Sequence, residues 1–122
     1  MEPPSEIKVK RKSRVVEVAW PDGTRYSLPF EYLRVFSPSA EVRGHAGGEG
    51  KLELAKEAVQ VTQAEPIGVY AVRLHFDDGH DTGLYSWDYL RELGTDYDRK
   101  WARYLERCEK LGYERKPPVE SA

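Results

Sequence analysis

Cysteine is almost absent from this sequence, in which Cys108 is the only thiol among 122 residues. A single cysteine excludes an internal disulfide and any zinc or iron–sulfur site that needs several thiolates from one chain. No apolar run approaches the roughly 20 residues that span a bilayer. The N-terminal sequence MEPP also lacks the basic and apolar parts of a signal peptide. We therefore expect a cytoplasmic protein that does not associate with membranes.

Charge of one sign does not dominate either, because the formal net charge is only −2. Basic residues are nevertheless concentrated at the two ends, with five Lys/Arg against two Glu in residues 1–14 and seven against four in residues 99–122. Basic ends are able to contact nucleic-acid phosphates. A solvated terminus and a solvated helix face are the simpler interpretation, so we do not expect a nucleic-acid partner.

The most informative feature that is present is an internal near-repeat. The segment VEVAWPDG at 16–23 is echoed by VRLHFDDG at 72–79, and FEYLR at 30–34 is echoed by WDYLR at 87–91. Alternating apolar residues indicate a strand with one buried face, and Asp-Gly favours a tight turn because Gly accepts positive φ. The sequence therefore predicts one strand–turn–strand–helix unit that is used twice.

The segment between the two copies is less regular. Residues 37–50 are rich in Gly, Ser and Glu and predict a long exposed loop, whereas 51–58 suit either a turn of helix or more loop. Residues 59–64 suit a strand, which Pro66 and Gly68 would end. In the next strand we expect four apolar residues on one face: Tyr70, Val72, Leu74 and Phe76.

The C-terminal region predicts an amphipathic helix over about 98–111, which Gly112 would end. Its apolar stripe consists of Trp101, Tyr104, Leu105, Cys108 and Leu111. Cys108 is accordingly interpreted as a small packed hydrophobe. The predicted fold class is α+β: a mainly antiparallel sheet with two similar strand–turn–strand–helix units and this helix. We expect a single domain over residues 1–116 and a disordered tail over 117–122.

The densest group of potential metal ligands is HFDDGHD at 75–81. Imidazole and carboxylate groups together suit zinc or non-haem iron, so His75, Asp77 and His80 are the candidate ligands. The competing interpretation is ordinary hairpin chemistry, because Asp in a turn often bonds its own backbone. We favour the hairpin interpretation and keep metal binding as the alternative.

The loop over 37–50 is the second candidate region. It has no Gly-Lys-Ser/Thr ending, which excludes a phosphate-binding P-loop, and no Gly-x-Ser-x-Gly nucleophile elbow. Ser37 or Ser39 with Glu41 and His45 supplies the residue types of a catalytic triad, but so do most polar loops. Exposed loops on a rigid sheet commonly carry binding function, so recognition is the better interpretation.

Three separated segments, LRVFSPSAEVRGH at 33–45, EPIGVYAV at 65–72 and DGHDTGLYSW at 78–87, resemble the gamma-butyrobetaine hydroxylase-like N-terminal domain family. The likeness extends over about residues 7–94. In the gamma-butyrobetaine and trimethyllysine dioxygenases this domain precedes the catalytic domain, which holds the iron and the 2-oxoglutarate site. Related domains are also joined to an ATPase of iron–sulfur cluster assembly. The resemblance therefore implies an accessory role in that pathway and does not transfer dioxygenase activity.

The resemblance also implies a zinc site in the dioxygenases, formed by three cysteines in a C-x-C-x-x-C pattern and a later histidine. The matching positions in this sequence are Ser37, Ser39, Val42 and His80. Hydroxyl groups and a valine do not replace thiolates at a tetrahedral zinc site. We therefore expect the structural zinc to be lost and no cofactor to be bound.

Together these observations predict a non-catalytic accessory or protein-interaction module with a link to iron–sulfur cluster assembly. The expected partner is a protein, whose identity the sequence does not specify. The candidate partner-binding residues are Arg34, Ser37, Ser39, Glu41, Arg43 and His45. The alternative is a protein that binds iron or zinc through His75, Asp77 and His80. A stand-alone enzyme would need a cleft beside His75 or His80, and nucleic-acid binding would act through the basic ends.

Overall fold

The computed structural model describes residues 2–43 and 50–116. Their strands form two three-stranded antiparallel sheets, in the orders β1-β2-β3 and β4-β5-β6, so the α+β prediction is confirmed. No helix in these residues is long and apolar enough to cross a membrane. The elements are β1 (Glu6–Lys10), β2 (Val15–Ala19), β3 (Arg25–Pro29), α1 (Phe30–Val35), α2 (Ala40–Arg43), β4 (Val61–Ile67), β5 (Ala71–Phe76), β6 (Leu84–Ser86), α3 (Trp87–Thr95) and α4 (Tyr97–Leu111).

The near-repeat in the sequence corresponds to a repeat in structure. In the first copy the turn between β2 and β3 is closed by a bond from the Thr24 amide to Asp22 Oδ1 (2.9 Å). In the second copy the His80 amide donates to Asp78 Oδ1 (3.1 Å) in the same way. The glycine after each Asp has a φ of +91° or +86°, which explains why Gly occupies both positions. The predicted strand–turn–strand–helix unit is confirmed in both copies.

Each unit also begins with a further strand, and one of these was not predicted. β1 pairs with β2 along its whole length, with Glu6 opposite Ala19 and Lys10 opposite Val15. Ile7 and Val9 pack against the core. The expectation of a merely solvated N-terminus is therefore wrong for residues 6–10. The complete unit is βββα: β1, β2, β3 and α1 in the first copy, and β4, β5, β6 and α3 in the second.

The two units are interlocked through their helices. The buried Tyr32 in α1 donates its hydroxyl hydrogen to the carbonyl oxygen of Leu93 in α3 (2.7 Å). Its counterpart in α3, Tyr89, donates to the carbonyl oxygen of Phe36 just after α1 (2.6 Å). Because Leu93 and Phe36 are themselves equivalent in the repeat, the two bonds are reciprocal. They cross one continuous apolar core formed by both units.

Several predicted boundaries and faces need correction. β4 extends over Val61–Ile67, past Pro66, because β4 is an edge strand of its sheet and an edge tolerates a residue without an N–H donor. Tyr70 lies in the turn before β5 and is 58 % exposed, so it does not share the buried face of that strand. In α4 the stripe is buried only at Tyr104 and Cys108, while Leu105 and Leu111 are exposed.

The predicted exposed loop over 37–50 is wrong at its start. Ser37, Ser39 and Val42 are buried, and residues 40–43 form the short helix α2. Of the two possibilities for 51–58, the loop is the one found. The middle of the predicted loop, residues 44–49, and the predicted tail over 117–122 lie outside the described residues.

Candidate functional site

A polar cluster around the buried Ser37 and His80 lies where the chain after α1 meets the turn between β5 and β6. His80 Nε2 is 2.8 Å from Ser37 Oγ, and His80 Nδ1 is 3.4 Å from Glu41 Oε2. Ser39 Oγ is 2.7 Å from Thr82 Oγ1. We call these five residues the Ser37–His80 cluster. It joins the first unit to the second with polar contacts.

The local sequence explains how the two serines are positioned. The Ser39 amide donates to Ser37 Oγ (3.2 Å), and the Glu41 amide donates to Ser39 Oγ (3.2 Å). Serine hydroxyls commonly bond the backbone two residues further on, which turns the chain. Two consecutive turns of this kind carry the chain from the end of α1 into α2. They also aim both hydroxyls at the second unit.

The side-chain contacts run from Ser37 to His80 to Glu41, as they do from the nucleophile to the base to the orienting carboxylate of a catalytic triad. The hydroxyl of Ser37, in the place of the nucleophile, is inaccessible. Ser37 has 0 % of its surface exposed, and a Cβ added at Gly83 would collide with Ser37 Oγ. A carbonyl substrate therefore has no approach to that oxygen. Burial, followed by the nearby positive charge of Arg34, lowers the pKa of His80. The imidazole is accordingly neutral near pH 7 and serves as a hydrogen-bonding group.

The zinc site implied by the family resemblance is not matched by these donors. Ser37, Ser39 and His80 do come together, and Val42 lies buried on the adjacent α2. However, Ser37 Oγ is already bonded to His80 Nε2, and a valine has no donor atom for a metal. The residues at these four positions therefore do not fit a tetrahedral zinc ion, because two serine hydroxyls and a valine stand where thiolate, imidazole or carboxylate ligands are needed.

Ionic contacts continue from the cluster toward the surface. Asp78 Oδ2 accepts hydrogen bonds from Arg34 Nε and from Lys56 Nζ, both at 2.9 Å. Burial acts to raise the pKa of Asp78, but the bonds from Lys56, the His80 amide and Arg34 outweigh it and lower the pKa to about 2. Arg34 Nη1 lies 3.8 Å from Glu53 Oε1, too far for a hydrogen bond. The carboxylate of Asp78 is thus held ionised between two cations.

The Asp-Gly turn of the first unit makes the equivalent contact with an arginine of the second unit. Arg91, the counterpart of Arg34, donates through Nη2 to Asp22 Oδ2 (2.8 Å) and Thr24 Oγ1 (3.0 Å). Its guanidinium also lies 5.0 Å from the centre of the Trp20 ring. Each unit therefore supplies the arginine that fixes the Asp-Gly turn of the other unit. The Leu-Arg ending of both repeat segments is explained by this exchange.

The two reciprocal ion pairs differ in burial, which gives a test. We expect Arg34→Met to lower the free energy of unfolding by about 2–3 kcal/mol, because Asp78 would keep only Lys56 as a cationic partner. Arg91→Met should cost clearly less, since that pair is solvated. Urea denaturation of the two variants and the wild type measures the difference. An equal loss of stability in the two variants would show that the greater burial of the Arg34–Asp78 pair does not make it more stabilising than the Arg91–Asp22 pair.

The same comparison has a defined pH dependence. The pKa of Asp78 is depressed in the folded state, so its contribution to stability is complete above the unfolded value near 4 and is lost as the pH falls toward about 2. The stability difference between wild type and Arg34→Met should therefore shrink across this acidic window.

The candidate metal ligands of the hairpin do not converge. His75 Nε2 is 3.0 Å from Glu65 Oε1, while Asp77 Oδ1 accepts from the Gln60 amide (2.9 Å). His80 instead points into the Ser37–His80 cluster, beside Phe76. Within residues 2–43 and 50–116, no group of three or more His, Cys, Asp or Glu side chains is arranged to hold a metal ion.

The candidate partner-binding residues are mostly not on the surface. Arg34, Ser37 and Ser39 are buried, and among these candidates Glu41 is the described side chain that is exposed. The side chain of Arg43 and the whole of His45 lie outside what the structure describes. The expectation that this set forms one exposed recognition surface is therefore wrong for its first three members. Their burial results from contacts with the second unit.

A surface feature that sequence reasoning missed lies in the turn between β4 and β5. Val69 is 83 % exposed and Tyr70 is 58 % exposed. The Tyr70 ring packs against Gly68, whose φ is +57°, and Trp87 Nε1 donates to the Val69 carbonyl oxygen (2.8 Å). A shallow pocket of about 170 Å³ lies beside the turn, with Asp88 at its rim. Gly68 was the available signal that the chain turns before Tyr70.

These observations define a class of protein: a small α+β domain of two interlocked βββα units in which the paired Ser37 and His80 side chains are buried. The model of the gamma-butyrobetaine hydroxylase-like N-terminal domain family matches residues 7–91. The chain belongs to this family.

Solved structures are similar to this chain over much of its length. One NMR solution structure is 42 % identical, with a TM-score of 0.83, and the match covers 100 % of this chain and 91 % of the other. A second NMR structure is 44 % identical, with a TM-score of 0.81 and coverage of 98 % and 94 %. A crystal structure of a protein of unknown function in the DUF971 family, from Acidithiobacillus ferrooxidans, is 43 % identical, with a TM-score of 0.61 and coverage of 75 % and 92 %. No curated protein matches the chain.

Proposed function

We propose that this domain is a non-catalytic accessory module that binds a protein partner, and that the turn at Val69 and Tyr70 is the centre of its binding surface. The observation that carries the proposal is the exposure of these two large side chains, 83 % and 58 %, at the tip of a hairpin. Both side chains gain by burial, since removing one large apolar side chain from water stabilises by about 1.5–3 kcal/mol.

The turn is also suited to binding because its backbone is already fixed. Trp87 bonds the Val69 carbonyl oxygen, the Trp87 amide donates to the Tyr70 carbonyl oxygen (3.3 Å), and Gly68 supports the Tyr70 ring. A preorganised surface loses little conformational entropy on binding. Tyrosine is moreover enriched among the residues that contribute most to protein interfaces.

The absence of catalysis is supported by the use of the reactive side chains inside the fold. Ser37 and His80 bond each other in the Ser37–His80 cluster, Asp78 is held by Arg34 and Lys56, and Cys108 is buried on α4. None of these groups is presented to a substrate. The family description, an N-terminal domain of hydroxylase-like proteins, agrees with a role beside a catalytic partner.

The family resemblance suggests where to seek the partner. Because related domains are joined to an ATPase of iron–sulfur cluster assembly, we propose that the module acts in that pathway, in the cytoplasm. The alternative function, binding of iron or zinc by His75, Asp77 and His80, stays a prediction. No contact among the described residues favours it, and metal analysis of tag-free protein tests it.

A photo-crosslinking experiment in cells tests the proposed surface. A benzophenone amino acid replaces Asp88, at the rim of the pocket, or Arg99, an exposed control position on α4. We expect one protein to be crosslinked from position 88 and not from position 99. The purified partner should then bind the Val69→Ser/Tyr70→Ser variant at least about tenfold more weakly than wild type, a loss of about 1.4 kcal/mol or more.

A matched variant controls for the loss of exposed apolar area. Leu111→Ser removes another exposed side chain, 62 % exposed and distant in sequence from the turn, and should leave the affinity unchanged. If the turn variant and the control bind the partner equally well, the turn is not the binding surface.

A further inference from the structure

A second surface of the molecule is a shallow, open groove at the end of α4. Leu105, Cys108 and Glu109 lie at positions i, i+3 and i+4 and form one wall. Gly112, with a φ of +80°, reverses the chain so that residues 113–115 form the opposite wall. The open volume between the walls is about 400 Å³. This size is within the range of sites that hold several side-chain-sized groups.

The second wall is fastened to the body of the domain. Tyr113 donates its hydroxyl hydrogen to Glu57 Oε2 (2.6 Å), and the Lys116 amide donates to the same oxygen (2.8 Å). Arg115 forms a two-pronged contact with the carboxylate of Glu31 and lies 5.0 Å from the centre of the Trp101 ring. The groove therefore does not have to be ordered by its occupant.

The lining of the groove combines apolar and acidic side chains. Leu105 is 37 % exposed, which leaves apolar surface accessible above the buried Cys108. Glu109 and Glu114 line the groove, and among the described residues no ion pair involves either of them. The positive charge of Arg115 is already neutralised by Glu31. The site therefore combines an apolar contact with two exposed carboxylates that form no ion pair within residues 2–43 and 50–116.

We propose that this groove binds a basic amphipathic segment of a partner protein, with an apolar side chain over Leu105 and Lys or Arg side chains beside Glu109 and Glu114. Charge complementarity supports this occupant, because an acidic or neutral segment would leave both carboxylates without partners. An amphipathic segment laid into an apolar groove is a common mode of peptide recognition. The site is separate from the Val69–Tyr70 turn.

Selection from a library of random 12-residue peptides displayed on phage tests the proposal with the full chain. The Glu109→Lys/Glu114→Lys variant serves as a decoy that removes peptides bound elsewhere. We expect the enriched peptides to contain Lys or Arg on either side of an apolar residue. A synthetic peptide of the enriched sequence should bind wild type at least about tenfold more tightly than the decoy, and the affinity should fall with added salt.

The Glu2→Lys/Asp81→Lys variant is the matched control, because it makes the same change in net charge at two exposed carboxylates away from the groove. It should bind the peptide as wild type does. NMR shifts on adding the peptide should be confined to residues around Leu105 and Tyr113.

Three results would overturn the proposal: no enrichment over the decoy, enrichment of acidic or neutral peptides, or an equal loss of affinity in the control variant. Concentration-dependent self-association of the free chain that is abolished by Glu109→Lys/Glu114→Lys would also overturn it. That result would assign the groove to a second copy of this chain.

Discussion

A chain that carries Ser37→Cys, Ser39→Cys and Val42→Cys is expected to bind one zinc ion through three thiolates and His80. Ser37 Oγ already faces His80 Nε2 directly, the Ser39 amide is bonded to Ser37 Oγ, and Val42 lies buried on the adjacent α2. In a tetrahedral site the sulfur and nitrogen ligands are about 3.5 Å apart. The present separation of 2.8 Å therefore has to open by less than 1 Å.

The second histidine nitrogen is also suitably placed. Metal-bound histidines usually donate their other ring N–H to a carboxylate, which orients the ring, and Glu41 Oε2 is 3.4 Å from His80 Nδ1. A small movement of the exposed Glu41 side chain would bring it into hydrogen-bond distance of His80 Nδ1. We expect a dissociation constant of micromolar or lower, which corresponds to at least about 8 kcal/mol.

Elemental mass spectrometry of tag-free protein measures the zinc content, and substitution with cobalt reports thiolate coordination through its absorption spectrum. The triple variant should contain about one zinc per chain, whereas wild type should contain none. Adding His80→Ala to the triple variant should weaken binding, and it provides the matched control. A folded triple variant without metal would mean that the four positions do not converge as the structure indicates.

Ending the chain at Gly112 is expected to lower the free energy of unfolding by about 3 kcal/mol. The removed residues are the partners of two buried carboxylates. Arg115 pairs with the carboxylate of Glu31. The Tyr113 hydroxyl and the Lys116 amide both donate hydrogen bonds to the carboxylate of Glu57. Glu31 and Glu57 are only 8 % and 6 % exposed. The expected loss of stability is at the low end of the range for removing one partner of a buried ion pair, because water reaches both carboxylates once residues 113–122 are gone.

Thermal denaturation measures this effect, and a chain that ends at Lys116 is the matched control. The Gly112 truncation should lower the melting temperature by about 10 °C, whereas the Lys116 truncation should leave it close to wild type. Equal stability of the two truncations would show that residues 113–116 do not stabilise the fold.

The truncation also has an expected dependence on pH. Burial alone would raise the pKa of Glu57, but the bonds from the Lys116 amide and Tyr113 outweigh it, and the pKa is lowered in the folded protein. The stability that Glu57 contributes is therefore present above its unfolded value of about 4.5 and is lost as the pH falls through the folded value. In the truncated chain, where water reaches Glu57, the contribution from the Lys116 amide and Tyr113 should be absent. The difference between the two chains should be largest near neutral pH and should decrease in acid.

Much of the fold was predictable because its signals are local. The alternation in residues 16–23 and 72–79 and the Asp-Gly pairs that follow are properties of a few neighbouring residues, and both hairpins have the expected form. The strand β1 was missed although Ile7 and Val9 alternate with charged residues. The high charge of that segment made a solvated terminus the simpler interpretation.

The candidate sites were less predictable because burial of a polar residue depends on distant partners. Arg34 was expected on the surface, but Asp78, 44 residues later, holds it inside. Tyr70 was expected in a strand face, but the positive φ of Gly68 turns the chain just before it. The contact of Arg115 with Glu31 joins residues 84 apart. Neither residue carries a local signal of this pairing.

From the amino-acid sequence alone, the repeated unit, the α+β class and the family were predictable. These follow from short-range periodicity, turn chemistry and the identity of single residues. The folded structure was needed to show that each arginine fixes the turn of the opposite unit, that Ser37 and His80 are enclosed, and that Val69 and Tyr70 are exposed. The physical reason is that pairing and burial are properties of two segments brought together, and the free energy of a buried charge depends on the partner that the other segment supplies.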